Sequence, residues 1–507
     1  MKHIWIELAL VFVSLATISG LATAYVNQSG WTLYYGDAES HLDIARRIVD
    51  SRKPGYDQIG TVWLPLPHVL MLPLVRNTAL WRSGLAGAIP SSACFVIAGL
   101  FLYAALRRAA HSSAVALASL GLLALNPNLL YLQATPMTET VVLAALMALL
   151  YFTVLFRETQ SFTAVIGAGL ASVAASLARY EGWFVIPFVA IYFLIAGRKH
   201  RFAAALLFSA IAALAPLYWL GHNWWLYSNA LEFYNGYYAP MSIYRRALAL
   251  HMTPYPGDHD WRPAVFYYLT AVRLCAGWAV VAIGIAGLAG IFLRRMLWPV
   301  ALTALPPLFY IWSMHSGNAP IYVPTLWPFS YYNTRYAVTA LPLLAIAGAG
   351  LVLLAPLRWR PWIAAAVVIA AATPWLLRPQ PSNWVTWKES QVNSTTRRAW
   401  TKATASSLAG SYHSGQGIVT SFGDLTGILR AAGIPLHEAL YDGDEPAWMA
   451  ATTRPDLFLH EEWAVAMAGD TVATAIQRSS LKTGPRYRLV QTIKVRGAPV
   501  IEIYKRD

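Results

Sequence analysis

Long apolar runs, separated by short polar gaps, fill the first three quarters of the chain. A helix crosses a bilayer on about 20 apolar residues. Eleven runs fit that pattern, at roughly 4–24, 89–106, 114–132, 140–156, 162–178, 183–196, 202–220, 271–293, 297–312, 336–357 and 361–377. Lysine and arginine gather in alternate gaps: Lys2, Arg107 with Arg108, Arg157, Arg198 with Lys199 and Arg201, Arg294 with Arg295, and Arg358 with Arg360. Short basic gaps mark the cytoplasmic side. All six fall there if the amino terminus is cytoplasmic, and eleven spans then leave the carboxy terminus outside. Ala22-Thr23-Ala24 resembles a signal cleavage site. The apolar run before it is longer than the 7 to 15 residues of a signal core, so the first span reads as an uncleaved anchor.

Three longer segments lie on the outer side, 25–88, 221–270 and 315–335, making 1–377 a membrane domain. In the first, Leu42, Ala45, Ile48 and Val49 recur with helical period, opposite Asp43, Arg46, Arg47 and Asp50. That pattern predicts an amphipathic helix lying in the interface. Thr61-Val62-Trp63-Leu64-Pro65-Leu66-Pro67-His68 reads as a re-entrant or interfacial turn. From residue 378 the pattern changes to short strand-like and helical runs at 417–421, 425–432, 434–440, 456–460, 464–478, 487–495 and 500–504. These predict a small extracytoplasmic α/β domain over 378–507.

Composition sharpens the class. The chain has 507 residues, 57% hydrophobic and 12% charged, with a mean hydropathy of +0.45. Soluble domains carry about twice that charged fraction, so a cytosolic enzyme or a disordered chain is excluded. The formal charge is +14. Its placement in one set of gaps makes it a topology signal, and nucleic acid is not an expected partner. Cys94 and Cys275 both lie in apolar runs, which provides neither a disulfide framework nor a thiolate metal site.

The acids supply the chemistry. Before residue 378 only Glu7 and Glu158 belong to the first span or an inner gap; the other ten acids lie on the outer side. Long polar loops account for several of these, but Glu139 and Glu181 sit at tight turns between spans. An acid buried at a membrane without a partner costs a few kcal/mol, so such positions are functional candidates. Four outer elements stand out: Asp37/Glu39/His41, Thr138-Glu139, Arg179-Tyr180-Glu181-Gly182-Trp183 and Asn333-Thr334-Arg335-Tyr336. Arginine matches phosphate oxygens with a bidentate fork. A carboxylate beside an acceptor hydroxyl orients it and takes its proton. Together they suit glycosyl transfer from a lipid-borne phosphate that stays in the bilayer while its sugar is attacked from the water side.

The layout resembles the GT-C superfamily of integral-membrane glycosyltransferases. It is similar to the family 39-like branch of protein O-mannosyltransferases and lipid A aminoarabinose transferases. That superfamily carries an acidic motif in the first outer loop, where Asp37 and Glu39 stand here. The segments Arg179 to Trp183, His222-Asn223-Trp224-Trp225 and Asn333 to Tyr336 also resemble motifs of bacterial members. Oligosaccharyltransferases follow a Trp-Trp pair with Asp-Tyr-Gly. Here Leu226-Tyr227-Ser228 follows, a departure from en-bloc transfer to asparagine.

The resemblance implies a bacterial-type inner-membrane enzyme with its site and carboxy-terminal domain extracytoplasmic. It would move a sugar from a polyprenyl-phosphate donor to a saccharide, lipid or protein acceptor by a single inverting displacement. Asp37 is the expected base, with Glu39 and Glu139 beside it, and Arg335 and Arg179 are the expected phosphate ligands. His41, His68, Tyr180, Glu181, Trp183, Asn333 and Tyr336 are expected to line the pocket. No cofactor is required, although Asp37, His41 and Glu139 leave room for a divalent metal. Plainer roles stand beside these: a helix cap for Asp37, a helix-dipole partner for Glu139, an interfacial salt bridge for Arg179 and Glu181, and snorkelling for Arg335. A polymer ligase using diphosphate-linked donors, and a transporter or lipid flippase, are the competing classes.

Overall fold

The computed structural model describes residues 2–421, 425–481 and 484–507. The chain forms two compact units. One comprises Met1–Ser29, Thr61–Pro67 and Ala88–Glu389; the other comprises Gly30–Gly60, His68–Gly87 and Ser390–Asp507. Most of the first outer segment therefore belongs with the carboxy-terminal residues, a division different from a cut at residue 378.

The first unit is helical, and each of the eleven predicted runs corresponds to a helix or a pair of helices. Among the described residues, seven helices are long and apolar enough to cross a membrane, and two bent pairs bring the number to nine. The other two runs are the helices Phe162–Ala178 and Glu181–Ala196, of 17 and 16 residues. At 1.5 Å per residue each falls short of a hydrocarbon core about 30 Å thick. By length and composition alone, nine of the eleven expected runs qualify among the described residues. Leu10, Leu21, Ile369 and Leu376 on the first and last long helices are exposed, a pattern suited to lipid.

The two bends complete each other. Pro127 lacks an N–H and disfavours helix at the residue before it, so Ser113–Ala124 and Pro127–Gln133 meet at 69°. Asn126 caps the second piece, accepting from the amides of Asn128 and Leu129 at 3.0 and 3.2 Å. Gly277, at φ +83, breaks Trp261–Ala276 from Trp278–Leu293 at 108°. That break frees the carbonyl of Cys275, which accepts from Nδ2 of both Asn126 and Asn128, at 3.0 and 2.9 Å. Broken backbone at membrane depth requires this kind of internal satisfaction. Close packing fixes the neighbouring helices: a Cβ on Gly287 would stand 2.0 Å from the carbonyl oxygen of Ala347, on Leu341–Leu354. Small residues let membrane helices approach this closely.

The second unit holds a five-stranded sheet ordered β2-β1-β3-β5-β4, with β1 Ile418–Thr420, β2 Ala439–Leu440, β3 Trp463–Met467, β4 Tyr487–Ile493 and β5 Ile501–Arg506. β2, β1 and β3 run parallel, with Ile418 opposite both Ala439 and Trp463. β5 is antiparallel to β3 and β4. Leu42, Ala45, Met71, Val75 and Trp81 join Ile418, Val465 and Ile503 in one core.

The helix Gly36–Val49 departs from the amphipathic expectation, because part of its polar face is buried as well. Asp43 is fully buried and accepts from Nε1 of Trp81 at 3.0 Å; buried Arg46 donates to the carbonyl of Val75 and pairs with Asp50 at 2.7 Å. It is an internal helix of this unit, its charges met by protein partners.

Candidate functional site

Three of the four predicted elements come together in the first unit. The helix Phe162–Ala178 ends where Arg179 turns extended, at φ −153 and ψ 154. The next helix begins at Glu181, which places the predicted break between the spans. Gly182 permits it, since a Cβ there would lie 2.4 Å from the backbone of Ala175. On a regular helix residues two apart do not face each other. Here the break lets Arg179 Nε reach Glu181 Oε1 at 2.8 Å.

Arg179 is nearly saturated. Its Nη1 donates to Thr138 Oγ1 at 2.7 Å and pairs with Glu139 Oε1 at 3.4 Å; its Nη2 donates to the Tyr310 hydroxyl at 2.6 Å. Tyr310 in turn donates to Glu181 Oε1 at 3.0 Å. Arg335 stands on the other side of Glu139, with Nε 3.3 Å from Glu139 Oε1 and Nη1 3.1 Å from Glu389 Oε1. Glu389 also accepts from the amide of Thr334 at 2.6 Å and from its hydroxyl. The Tyr336 ring lies 5.1 and 5.0 Å from the two guanidinium carbons and stacks on Tyr310 at 4.7 Å, adding cation–π attraction at a desolvated position.

Three carboxylates thus face two guanidiniums. Glu139 is 2% exposed, and its Oε2 is buried without a hydrogen-bond partner. The same residue lines an apolar recess with Val142, Leu146, Leu302, Pro306 and Val338. A buried carboxylate oxygen left open is costly, and a hydroxyl or other donor arriving there would be strongly held.

The remaining predicted residues of this unit hold the scaffold. The Tyr180 hydroxyl donates to the carbonyl of Val62 at 2.9 Å, and its ring stacks on Phe233. Trp183 Nε1 donates to the carbonyl of Ser176 at 2.8 Å, closing the end of the preceding helix. Asn333 takes a left-handed φ of 54° and donates to the carbonyl of Pro320 at 3.0 Å.

The fourth element lies in the second unit. Asp37 and Glu39 occupy the first turn of Gly36–Val49, where Tyr35 stands at the N-cap without a side-chain cap bond. Glu39 is buried against Arg430 and faces Arg397 at 3.6 Å. His41 Nδ1 and His68 Nε2 are 2.9 Å apart. Burial first, then the charges of His41 and Arg47, hold His68 well below the ordinary histidine value. Among the described residues no three His, Cys, Asp or Glu side chains come together to hold a metal ion.

Sequence reasoning missed Glu389, Tyr310, Arg397 and Arg430. Tyr310 carried a signal, a hydroxyl inside an apolar run. Glu389 carried little, in a polar stretch beyond the last span.

Comparison with known proteins fits this architecture. Residues 78–225 match the family described as dolichyl-phosphate-mannose-protein mannosyltransferase. The fold is GT-C-like. In particular it is similar to ArnT from Cupriavidus metallidurans. The apo crystal structure aligns at 14% identity with a TM-score of 0.51, and the structure bound to undecaprenyl phosphate at 13% and 0.50. Each alignment covers 95% of this chain and 97% of the other. No curated protein sequence matches the chain.

Proposed function

We propose that the protein is an inverting glycosyltransferase that moves a sugar from a polyprenyl-phosphate donor to an acceptor hydroxyl at the outer face of the membrane. The observation that carries this reading is the buried group of Glu139, Arg179, Glu181, Arg335 and Glu389 beside an apolar recess. The GT-C-like fold and the likeness to a protein crystallised with undecaprenyl phosphate support the same reading.

In this mechanism the acceptor oxygen attacks the anomeric carbon as its proton passes to the Asp37 carboxylate. The bond from that carbon to the phosphate oxygen breaks, and the lipid leaves as its phosphate. Arg335 takes the phosphate, stabilising the charge that develops on it; one well-placed donor contributes about 3 kcal/mol to such a step. Arg179 is the brace, its N–H groups committed to Thr138, Glu139, Glu181 and Tyr310. The open Oε2 of Glu139 accepts a sugar hydroxyl. The basic gaps keep the amino terminus cytoplasmic and the reaction outside.

The test is turnover by the purified protein of polyprenyl-phosphate sugars, polyprenyl-diphosphate sugars and nucleotide sugars, following release of the carrier. The expected result is release of polyprenyl phosphate with inversion at the sugar carbon. Turnover of the diphosphate donors alone would move the protein to the polymer-ligase class.

A further inference from the structure

The turn before Asp37 is built by arginines from far along the chain. All of them lie in the second unit, on the helix Val385–Ala409 beyond its fifth residue and on Thr426–Ala432. Arg397 Nη2 donates to the carbonyls of Leu33 and Tyr34 at 3.3 and 2.9 Å. Its Nε faces Glu39 Oε2 at 3.6 Å. Its Nη1 fills the space beside Gly36, where a Cβ would stand only 2.4 Å away. Arg398, held by Ser394 Oγ at 3.0 Å, lies over the Tyr34 ring at 3.9 Å. Arg430 pairs with Glu39 from another side, and a Cβ on Gly427 would come within 2.6 Å of that carboxylate. Glu39 is thus enclosed by fixed partners.

We propose that Arg397 is a positioning residue of the transfer reaction: it aims Asp37 by holding the carbonyls of Leu33 and Tyr34 before it and the Glu39 side chain after it. Glu39 is then the counter-charge of Arg397 and Arg430, leaving Asp37 as the proton acceptor. A planar guanidinium spans three acceptors in fixed directions, whereas an ammonium is a point charge that does not. This inference rests on the role of Asp37 proposed above. Displacing a reacting group by about 1 Å costs about a hundredfold in rate.

The experiment measures kcat, donor KM and acceptor KM, together with the thermal unfolding midpoint. It compares the full-length wild type with Arg397→Gln, Arg397→Lys, Gly36→Ala and Asp37→Asn on one polyprenyl-phosphate sugar. Gly36→Ala displaces only the far end of a flexible side chain, so it tests the placement of Arg397 without removing its charge. The expected result is a fall in kcat of about tenfold to a hundredfold in Arg397→Gln and Gly36→Ala, with donor KM close to wild type in both. The midpoint is retained in Gly36→Ala, while Arg397→Gln also lowers it because Glu39 loses one of its two guanidiniums. Arg397→Lys recovers little. Near-wild-type kcat in folded Gly36→Ala or Arg397→Gln, with Asp37→Asn inactive, overturns the proposal for Arg397 alone. Full turnover by Asp37→Asn overturns both this inference and the role of Asp37.

Discussion

Buried acids are grouped differently in the two units. In the membrane unit Glu139, Glu181 and Glu389 are met by guanidiniums, themselves shared, so each ion pair depends on the next. In the second unit the acids stand apart: Glu39 has its own two guanidiniums, Arg397 and Arg430, whereas Asp43 accepts from the indole of Trp81, and Asp444 accepts from the amide of Tyr441 at 3.3 Å while its Oδ1 has no hydrogen-bond partner. Charge in a low-dielectric interior is worth far more than a neutral hydrogen bond, and losing half of a pair costs correspondingly more. The membrane unit concentrates its electrostatic energy in one place, whereas the second unit spreads it among separate acids.

The largest effect should come from breaking the shared lattice. Arg179→Met leaves Glu181 with the Tyr310 hydroxyl and Glu139 with Arg335, and removing one partner of a buried ion pair costs about 3–5 kcal/mol. A thermal melt of the purified protein should show that loss, and an unchanged midpoint would mean the lattice is not coupled. A smaller loss is expected in the second unit. Trp81→Phe keeps the ring but removes a donor from Asp43, costing about 1–3 kcal/mol in the same assay.

The smallest effect is a pH dependence. Burial raises Asp444 to about 6, against the opposing Tyr441 amide and the charges of Arg52, Arg47 and Lys53. A carboxyl raised in the folded state favours folding at low pH and loses that contribution as pH rises through about 6. Asp444→Asn should therefore flatten the stability profile between about pH 4 and 6, where the slope it removes is at most about 1 kcal/mol per pH unit. Asp50 has the opposite sign. Burial pushes it up, but the His437 hydrogen bond and Arg46 outweigh that and hold it below the usual carboxylate range. Its contribution is lost as pH falls through its folded value, so the two slopes are separable.

These contrasts explain what was legible in the sequence. Each apolar run corresponds to a helix or a pair of helices among the described residues, because bilayer burial demands an uninterrupted apolar stretch. Their bends were harder to read: Asn126-Pro127 and Gly277 lie within runs whose hydropathy never drops enough to mark a boundary. The helix Val385–Ala409 left no periodic signal, since many of its buried positions are polar: Thr386, Glu389, Ser390, Ser394 and Thr404. The grouping of Glu139, Arg179, Glu181 and Arg335 was foreshadowed by acids and arginines at tight turns. Their partners were not, because a tyrosine inside a span and an acid on a polar helix look ordinary locally. Asp43 and Arg46 misled for the converse reason: charges on one helix face read as solvated, and here buried partners satisfy them.

The most direct test of the account is turnover of a polyprenyl-phosphate sugar by the purified protein, comparing wild type with Asp37→Asn in the same membrane mimetic. A lost general base should lower kcat by about 10²–10⁴-fold, with the unfolding midpoint retained. Equal turnover by the two proteins would contradict the assignment of the transfer chemistry to Asp37.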